Sequence, residues 1–214
     1  MKPYRYFVLI LISFFYQQFC FSQTSMKAKN LLDEVSEKMN SYDNFKFQFK
    51  YILENSKEDI RQETEGEITV SGEKYKLNFD DAIQLFDGKN LYTIIPENEE
   101  IMISKPEEDN DIIINPTDLI KFYNTGYDFH WDIIQYVNKV PIQYVKLIPA
   151  DENPDITYLL LGINMKTKNI YRLIEIGQQN TTTTLTLTSI ITNQVISDDF
   201  FKFHEKNYPS FYIN

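Results

Sequence analysis

Residues 45–53 read FKFQFKYIL, in which Phe45, Phe47, Phe49, Tyr51 and Leu53 alternate with Lys46, Gln48 and Lys50. Successive side chains of an extended strand point to opposite faces, so a period of two describes a strand with one apolar face and one charged face. Such a strand needs cover on one side only. That is the habit of antiparallel sheets with one face turned to water.

The stretch before this strand has a different period. Thr24-Ser25 can cap a helix, and Ala28, Leu31, Leu32, Val35, Met39 and Tyr42 follow at spacings of three and four, which places them on one helical face. Lys27, Lys29, Asp33, Glu34, Glu37 and Lys38 make the opposite, charged face. After the Phe-rich strand, strand-like segments recur at Glu63–Val70, Lys74–Phe79, Ile83–Phe86, Asn90–Ile95 and Glu100–Ser104. Asp87-Gly88 and Pro96-Glu97-Asn98 supply turns between them. A second helix is expected where Asn115 caps, Pro116 starts, and Leu119, Ile120, Phe122 and Tyr123 form the apolar side before Gly126. Strands resume at Tyr127–Ile133, Ile142–Ile148, Ile156–Met165, Asn169–Ile176 and Thr181–Ile191.

The reading gives a mainly β chain of about eleven strands with short connections, which pair antiparallel because parallel neighbours need long crossovers. So many strands in one twisted sheet curl or close. The expected fold is a strongly curved antiparallel sheet or partial barrel, with helices packed on or into it.

Composition removes most chemistry. The chain has 214 residues, 21 basic and 31 acidic side chains, and a net charge of −10. Nucleic acids and anionic membrane surfaces are poor electrostatic partners for it. One cysteine and two histidines exclude an internal disulfide framework and a zinc site of Cys/His type. At the N-terminus, Lys2 and Arg5 precede the apolar run YFVLILISFFY at Tyr6–Tyr16, which a polar stretch ends. This is the build of a secretory signal peptide, and the run falls short of the roughly 20 residues a membrane span needs. Residues 1–22 are read as that signal and residues 23–214 as one domain. Phe19 and Gln17 stand where a lipidated Cys20 would want a small residue and Leu, so the exported chain is read as soluble and not lipidated.

No HExxH, GxSxG, P-loop or GxGxxG pattern occurs. His130 and His204 read as structural or surface histidines, and the acid pairs Asp80-Asp81 and Asp198-Asp199 as solvated turn residues. No catalytic residue, metal ligand or cofactor is expected. What stands out is aromatic content, 15% of the chain, much of it on one face of successive strands. Those side chains fill an ordinary core, or they line an apolar cavity that the helices plug.

The order of segments resembles a known family. A signal peptide, an amphipathic helix and a Phe-rich strand lead to LFDGKNLYTIIPENEEIMIS at Leu85–Ser104 and NPTDLI at Asn115–Ile120. The chain closes with ISDDFFKFHEKNYPSFYI at Ile196–Ile213. This is similar to the LolA family, periplasmic carriers of outer-membrane lipoproteins, in its Bacteroidetes form, through essentially the whole chain after the signal. The resemblance implies an incomplete antiparallel β-barrel covered by an α-helical lid, with acyl chains in the cavity and no enzymatic activity. It implies a monomer, with acylated lipoproteins as cargo, an inner-membrane lipoprotein release complex as donor and an outer-membrane acceptor as recipient. The expected cavity residues are Phe45, Phe47, Phe49, Tyr51, Leu77, Phe79, Leu91, Phe129, Trp131 and Ile133. The expected lid residues are Leu31, Leu32, Val35, Leu119 and Phe122. The family's lid-latching arginine has no counterpart in Val70–Tyr75 (VSGEKY), where Lys74 is the remaining cation. Rival readings are a periplasmic lipid-binding or lipoprotein-sensing module of the same fold, and a structural envelope component.

Overall fold

The computed structural model describes residues 24–105, 126–150, 156–197 and 199–214. The expected signal peptide and the expected second helix, with Leu119 and Phe122, lie outside these residues, as does Asp198. The chain opens with helix α1, residues 24–40. Six strands follow: β1 (Phe45–Asn55), β2 (Ile60–Ser71), β3 (Lys74–Phe79), β4 (Ala82–Phe86), β5 (Leu91–Ile95) and β6 (Glu100–Ser104). A second run holds β7 (Tyr127–Val137), β8 (Val140–Pro149), β9 (Ile156–Asn164), β10 (Ile170–Gly177) and β11 (Thr181–Thr192), and β12 (Tyr212–Ile213) ends the chain. No helix among the described residues is long and apolar enough to cross a membrane.

All twelve strands form one open sheet in the order β12-β6-β5-β4-β3-β2-β1-β11-β10-β9-β8-β7. Each run is a meander of adjacent hairpins, and the two runs join where β1 pairs antiparallel with β11, from Phe45 opposite Thr192 to Asn55 opposite Thr181. β1 pairs over the same length with β2 on its other side. The alternating strand that decides the fold therefore lies at the centre of the sheet.

The apolar face of α1 (Ala28, Leu31, Leu32, Val35 and Met39) belongs to one buried cluster with side chains from both meanders. A sheet can place both of its wings against one helix only by curving around it. The result is an incomplete antiparallel barrel with the helix on its concave face. Polar pairings fix the hinge between helix and sheet. The Asn44 carboxamide donates to the Gln194 carbonyl at 2.8 Å and accepts from the Gln194 amide at 2.9 Å, and the Asp43 amide donates to the Asn193 side chain at 2.9 Å.

The convex face is covered differently on its two sides. On β1 and β2 it is charged, with Lys46 paired to Glu67 at 2.7 Å, Lys50 to Glu63 and Arg61 to Glu54. On β4–β6 it carries the buried Leu85, Ile94 and Ile101. The C-terminal segment returns over that side: Phe203 stacks on Tyr92 at 4.5 Å, Lys76 lies over Phe200, and Phe201 is buried. It ends as β12, which pairs parallel with β6. This strand was not expected from the sequence, and it shields an edge that would otherwise offer unpaired backbone groups.

Turn chemistry is local. Asp80 and Asp81 both take left-handed backbone between β3 and β4, the conformation that a tight hairpin turn asks of its central residues. The Asp87 carboxylate accepts from the Lys89 and Asn90 amides, each at 2.8 Å.

Gly66 marks a close approach. It stands opposite Phe49, and a β-carbon there would lie 2.3 Å from the Phe49 ring. The ring lies over the glycine backbone and fills the space a side chain would need. Gly66→Ala should therefore cost about 1–3 kcal/mol by forcing Phe49 out of its place. Urea unfolding measures this, and a change within error would mean that the ring moves aside freely.

Candidate functional site

Strand register assembles the concave face in rows that run across the sheet. One row passes Phe45, Val70, Tyr75, Phe86 and Leu91. The next holds Ile190, Phe47, Ile68 and Leu77, and a third Leu187, Phe49, Gly66 and Phe79. In the other meander, Trp131, Val145, Leu161, Leu173, Leu185 and Tyr51 line up from β7 to β1. The face is apolar across its width because each strand contributes every second residue to it.

Of the residues expected on this face, Phe45, Phe47, Phe49 and Leu91 are buried in the central cluster. Tyr51, Leu77, Phe79, Phe129 and Trp131 are partly buried against it. Aromatic contacts tie them together: Phe45 to Phe47 at 4.7 Å, Phe49 to Phe79 at 5.8 Å, and Tyr51 edge-on to Phe79 at 5.1 Å. From α1, the expected Leu31, Leu32 and Val35 are buried in the same cluster.

Ile133 departs from the expectation. It is 54% exposed, because the β7–β8 register shifts between Trp131 and Ile134. The extra residue displaces the alternation by one place, and Ile134 takes the position opposite Gln143. The buried Gln143 side chain stabilises the bulge by donating to the Asp132 carbonyl at 2.7 Å and the Tyr144 carbonyl at 2.8 Å.

Sequence reading missed the contribution of β8, β9 and β11. Val145, Leu147, Leu159, Leu161, Ile163 and Leu185 are all buried in the cluster. The alternation Leu159, Leu161, Ile163 would have found three of them.

The face also has a polar station. Glu175 stands on β10 opposite Leu159 of β9 and Thr183 of β11, and so lies on the concave side, toward one end of the barrel. Burial raises the Tyr51 pKa above the ordinary tyrosine value; the Thr183 hydroxyl beside it acts against this, and the Glu175 charge adds to it. Burial and the same charge raise Tyr127. Both phenols therefore stay neutral through the physiological range.

Polar ties to α1 sit at the rim. The Lys38 ammonium donates to the Thr167 carbonyl, and Lys168 pairs with Glu34 at 2.7 Å. Lys74 lies against Gly88, at the β4–β5 turn. Exposed pairs of this kind contribute roughly 0–1 kcal/mol each. The helix is held chiefly by apolar burial. Away from this face, the convex side has an open depression of about 330 Å³ lined by Gln48, Glu65, Glu67 and Asn78 among others, and its polar rim suits water better than an apolar ligand.

No family model matches the chain, and no curated protein matches it in sequence. Its fold is nevertheless found among solved structures. An uncharacterized conserved protein from Thermus thermophilus aligns with a TM-score of 0.59 at 8% identity, over 88% of this chain and 99% of that one. LprF from Mycobacterium bovis aligns at 0.51 and 12% identity, over 81% of this chain and 96% of its own. These two likenesses establish a shared fold. A LolA superfamily protein from Nitrosomonas europaea also aligns, over 82% of this chain and 97% of its own, at 10% identity and a TM-score of 0.45, which is too distant to carry an argument.

The two raised tyrosines have a consequence for stability. Folding favours their neutral forms, so their contribution is complete below the unfolded value of about 10 and is lost as pH rises through the folded values. Replacing both Tyr51 and Tyr127 by Phe should make the fall in melting temperature above about pH 10 shallower than in the wild type. Parallel declines would place both hydroxyls in water.

Proposed function

We propose that the protein is a periplasmic carrier of acylated lipoproteins, one that holds their acyl chains against the concave face of its sheet. The supporting observation is that face itself: aromatic and aliphatic rows run across both meanders, and an amphipathic helix covers them chiefly by apolar contact. The resemblance of Leu85–Ser104, Asn115–Ile120 and Ile196–Ile213 to the Bacteroidetes form of the LolA family points the same way. In this reading Phe45, Phe47, Phe49, Tyr51, Leu77, Phe79, Leu91, Phe129 and Trp131 contact cargo, and Leu31, Leu32 and Val35 of α1 make way for it. The resemblance would add Leu119 and Phe122, which lie outside the described residues, to the same lid. Cargo comes from an inner-membrane release complex and goes to an outer-membrane acceptor, and the protein works as a monomer exported by residues 1–22.

Energetics explain why a carrier would keep its own helix in the cargo site. Burying a methylene is worth about 0.8 kcal/mol, so three long chains fully buried would gain roughly 30 kcal/mol. Non-covalent affinities saturate near about 18–21 kcal/mol, and a carrier must also release. Displacing α1 exposes apolar surface and cancels part of the gain. In place of a latching arginine, the exposed ties of Lys38 and Lys168 leave the helix free to yield.

The test is native mass spectrometry of the full-length chain expressed in a Bacteroidetes host and purified from periplasm. The expected result is one acylated polypeptide bound per protein. Leu77→Asp, on the concave face, should lower that occupancy, while Ile191→Asp, on an exposed outward position, should leave it unchanged. A protein that emerges empty with its release machinery disabled would overturn the proposal, and bound free lipid alone would move the function to lipid carriage.

A further inference from the structure

One corner of the sheet, where the β7–β8 hairpin closes, leaves three large apolar side chains in water. Ile133 is 54% exposed, Ile134 49% and Tyr136 71%. They lie close together on β7, the last strand in the order of the sheet. The exposure of Ile133 is built in, since the bulge that turns it outward is held by the buried Gln143 side chain. Asn138 and Lys139 then make the hairpin turn with left-handed backbone. The β9–β10 turn stands next to it: Ile142 pairs with Asn164, and the Met165 amide donates to the Pro141 carbonyl at 3.0 Å. That turn adds Lys166. Lys139 and Lys166 are both exposed, and neither has an acidic partner among the described residues, whereas Lys168 of the same turn is taken up by Glu34.

Contiguous apolar side chains left in water mark a contact surface, and two features decide what this one meets. The bulge interrupts the regular backbone edge on which an added strand would pair, so side chains and not backbone groups make the contact. The lysines border the apolar residues, although the chain as a whole carries a charge of −10. Aliphatic and tyrosine side chains bordered by lysines match the boundary layer of a bilayer, where acyl chains, headgroups and phosphates succeed one another. We propose that this corner, the β7–β8 hairpin with the β9–β10 turn beside it, is a docking surface for a lipid bilayer that carries anionic headgroups. Ile133, Ile134 and Tyr136 enter the interface, and Lys139 and Lys166 pair with lipid phosphates. The net charge of the rest of the chain opposes the contact and keeps it weak and reversible. Thr167 of the same turn accepts from Lys38 of α1, so docking brings that end of the helix beside the membrane. The contact needs no cargo and is independent of where acyl chains bind.

The test is flotation of the full chain after its signal with vesicles of phosphatidylcholine, alone or with about a quarter phosphatidylglycerol. Wild type should bind the anionic vesicles more tightly, and Lys139→Ala with Lys166→Ala should remove about fivefold per lysine from that binding. Ile134→Asp with Tyr136→Asp should weaken binding to both kinds of vesicle by about tenfold or more. Both double variants are checked for folding by circular dichroism. Each should still bind a fluorescent apolar probe that palmitate displaces, because none of the four residues belongs to the buried cluster. Leu77→Asp should do the reverse, losing the probe and keeping the vesicles. Wild type that floats with neither kind of vesicle overturns the surface and leaves acyl binding standing. So does binding that survives Ile134→Asp with Tyr136→Asp, or that is lost in Leu77→Asp alone. A dimer that forms without vesicles and is dissolved by the hairpin substitutions would assign the patch to a second copy and overturn the lipid contact.

Discussion

A twelve-stranded open sheet with apolar side chains on both faces cannot stand in water uncovered, and the rest of this structure follows from what covers each face. The convex side of β4–β6 is closed by the end of the chain. The C-terminal segment stacks Phe203 on Tyr92, buries Phe201 and ends by pairing with the sheet edge as β12. The convex side of β1 and β2 needs no cover, because Lys46, Lys50 and Arg61 pair there with glutamates. The concave side is covered by α1, and that cover rests on burial of one helical stripe. The two covers thus differ in kind: one is woven into the sheet by backbone hydrogen bonds, the other is laid on it.

This difference connects the fold to the proposed task. A cover held by apolar contact competes directly with any apolar ligand for the same rows. The rim ties Lys38–Thr167 and Lys168–Glu34 orient the helix without locking it, since both lie at least partly in water. The β1–β11 pairing gives the opposite property, a backbone seam that runs the eleven residues of β1 with one register shift between Gln48 and Phe49. Ligand exchange would then move the helix and leave the sheet as a fixed template.

Much of this was legible in the chain. The Phe45–Leu53 alternation placed β1 with its aromatic side inward, and α1, the eleven longer strands and their turns lie close to where periodicity put them. What periodicity could not supply was the effect of bulges. Ile133 lost its inward place because an extra residue between Trp131 and Ile134 shifts the register, and the device that holds the shift is a buried glutamine from the neighbouring strand. Glu175 escaped notice for a related reason. A shift between Ile170 and Arg172 breaks the alternation, so Ile170 and Leu173 share the concave cluster although they differ in parity. Glu175 follows Leu173 inward. β12 was hidden because a two-residue strand has no period, and only its partner β6 defines it.

The central claim is that α1 and an acyl ligand occupy the same surface in turn. Spin labels introduced by Asn30→Cys on the helix and Lys166→Cys at the β9–β10 turn, both exposed positions, report their separation by pulsed electron resonance. The account predicts one short distance in the free protein and a longer, broader distribution when an acylated peptide is bound at one equivalent. An unchanged distance with the ligand demonstrably bound would show that the helix stays in place, and that acyl chains bind elsewhere.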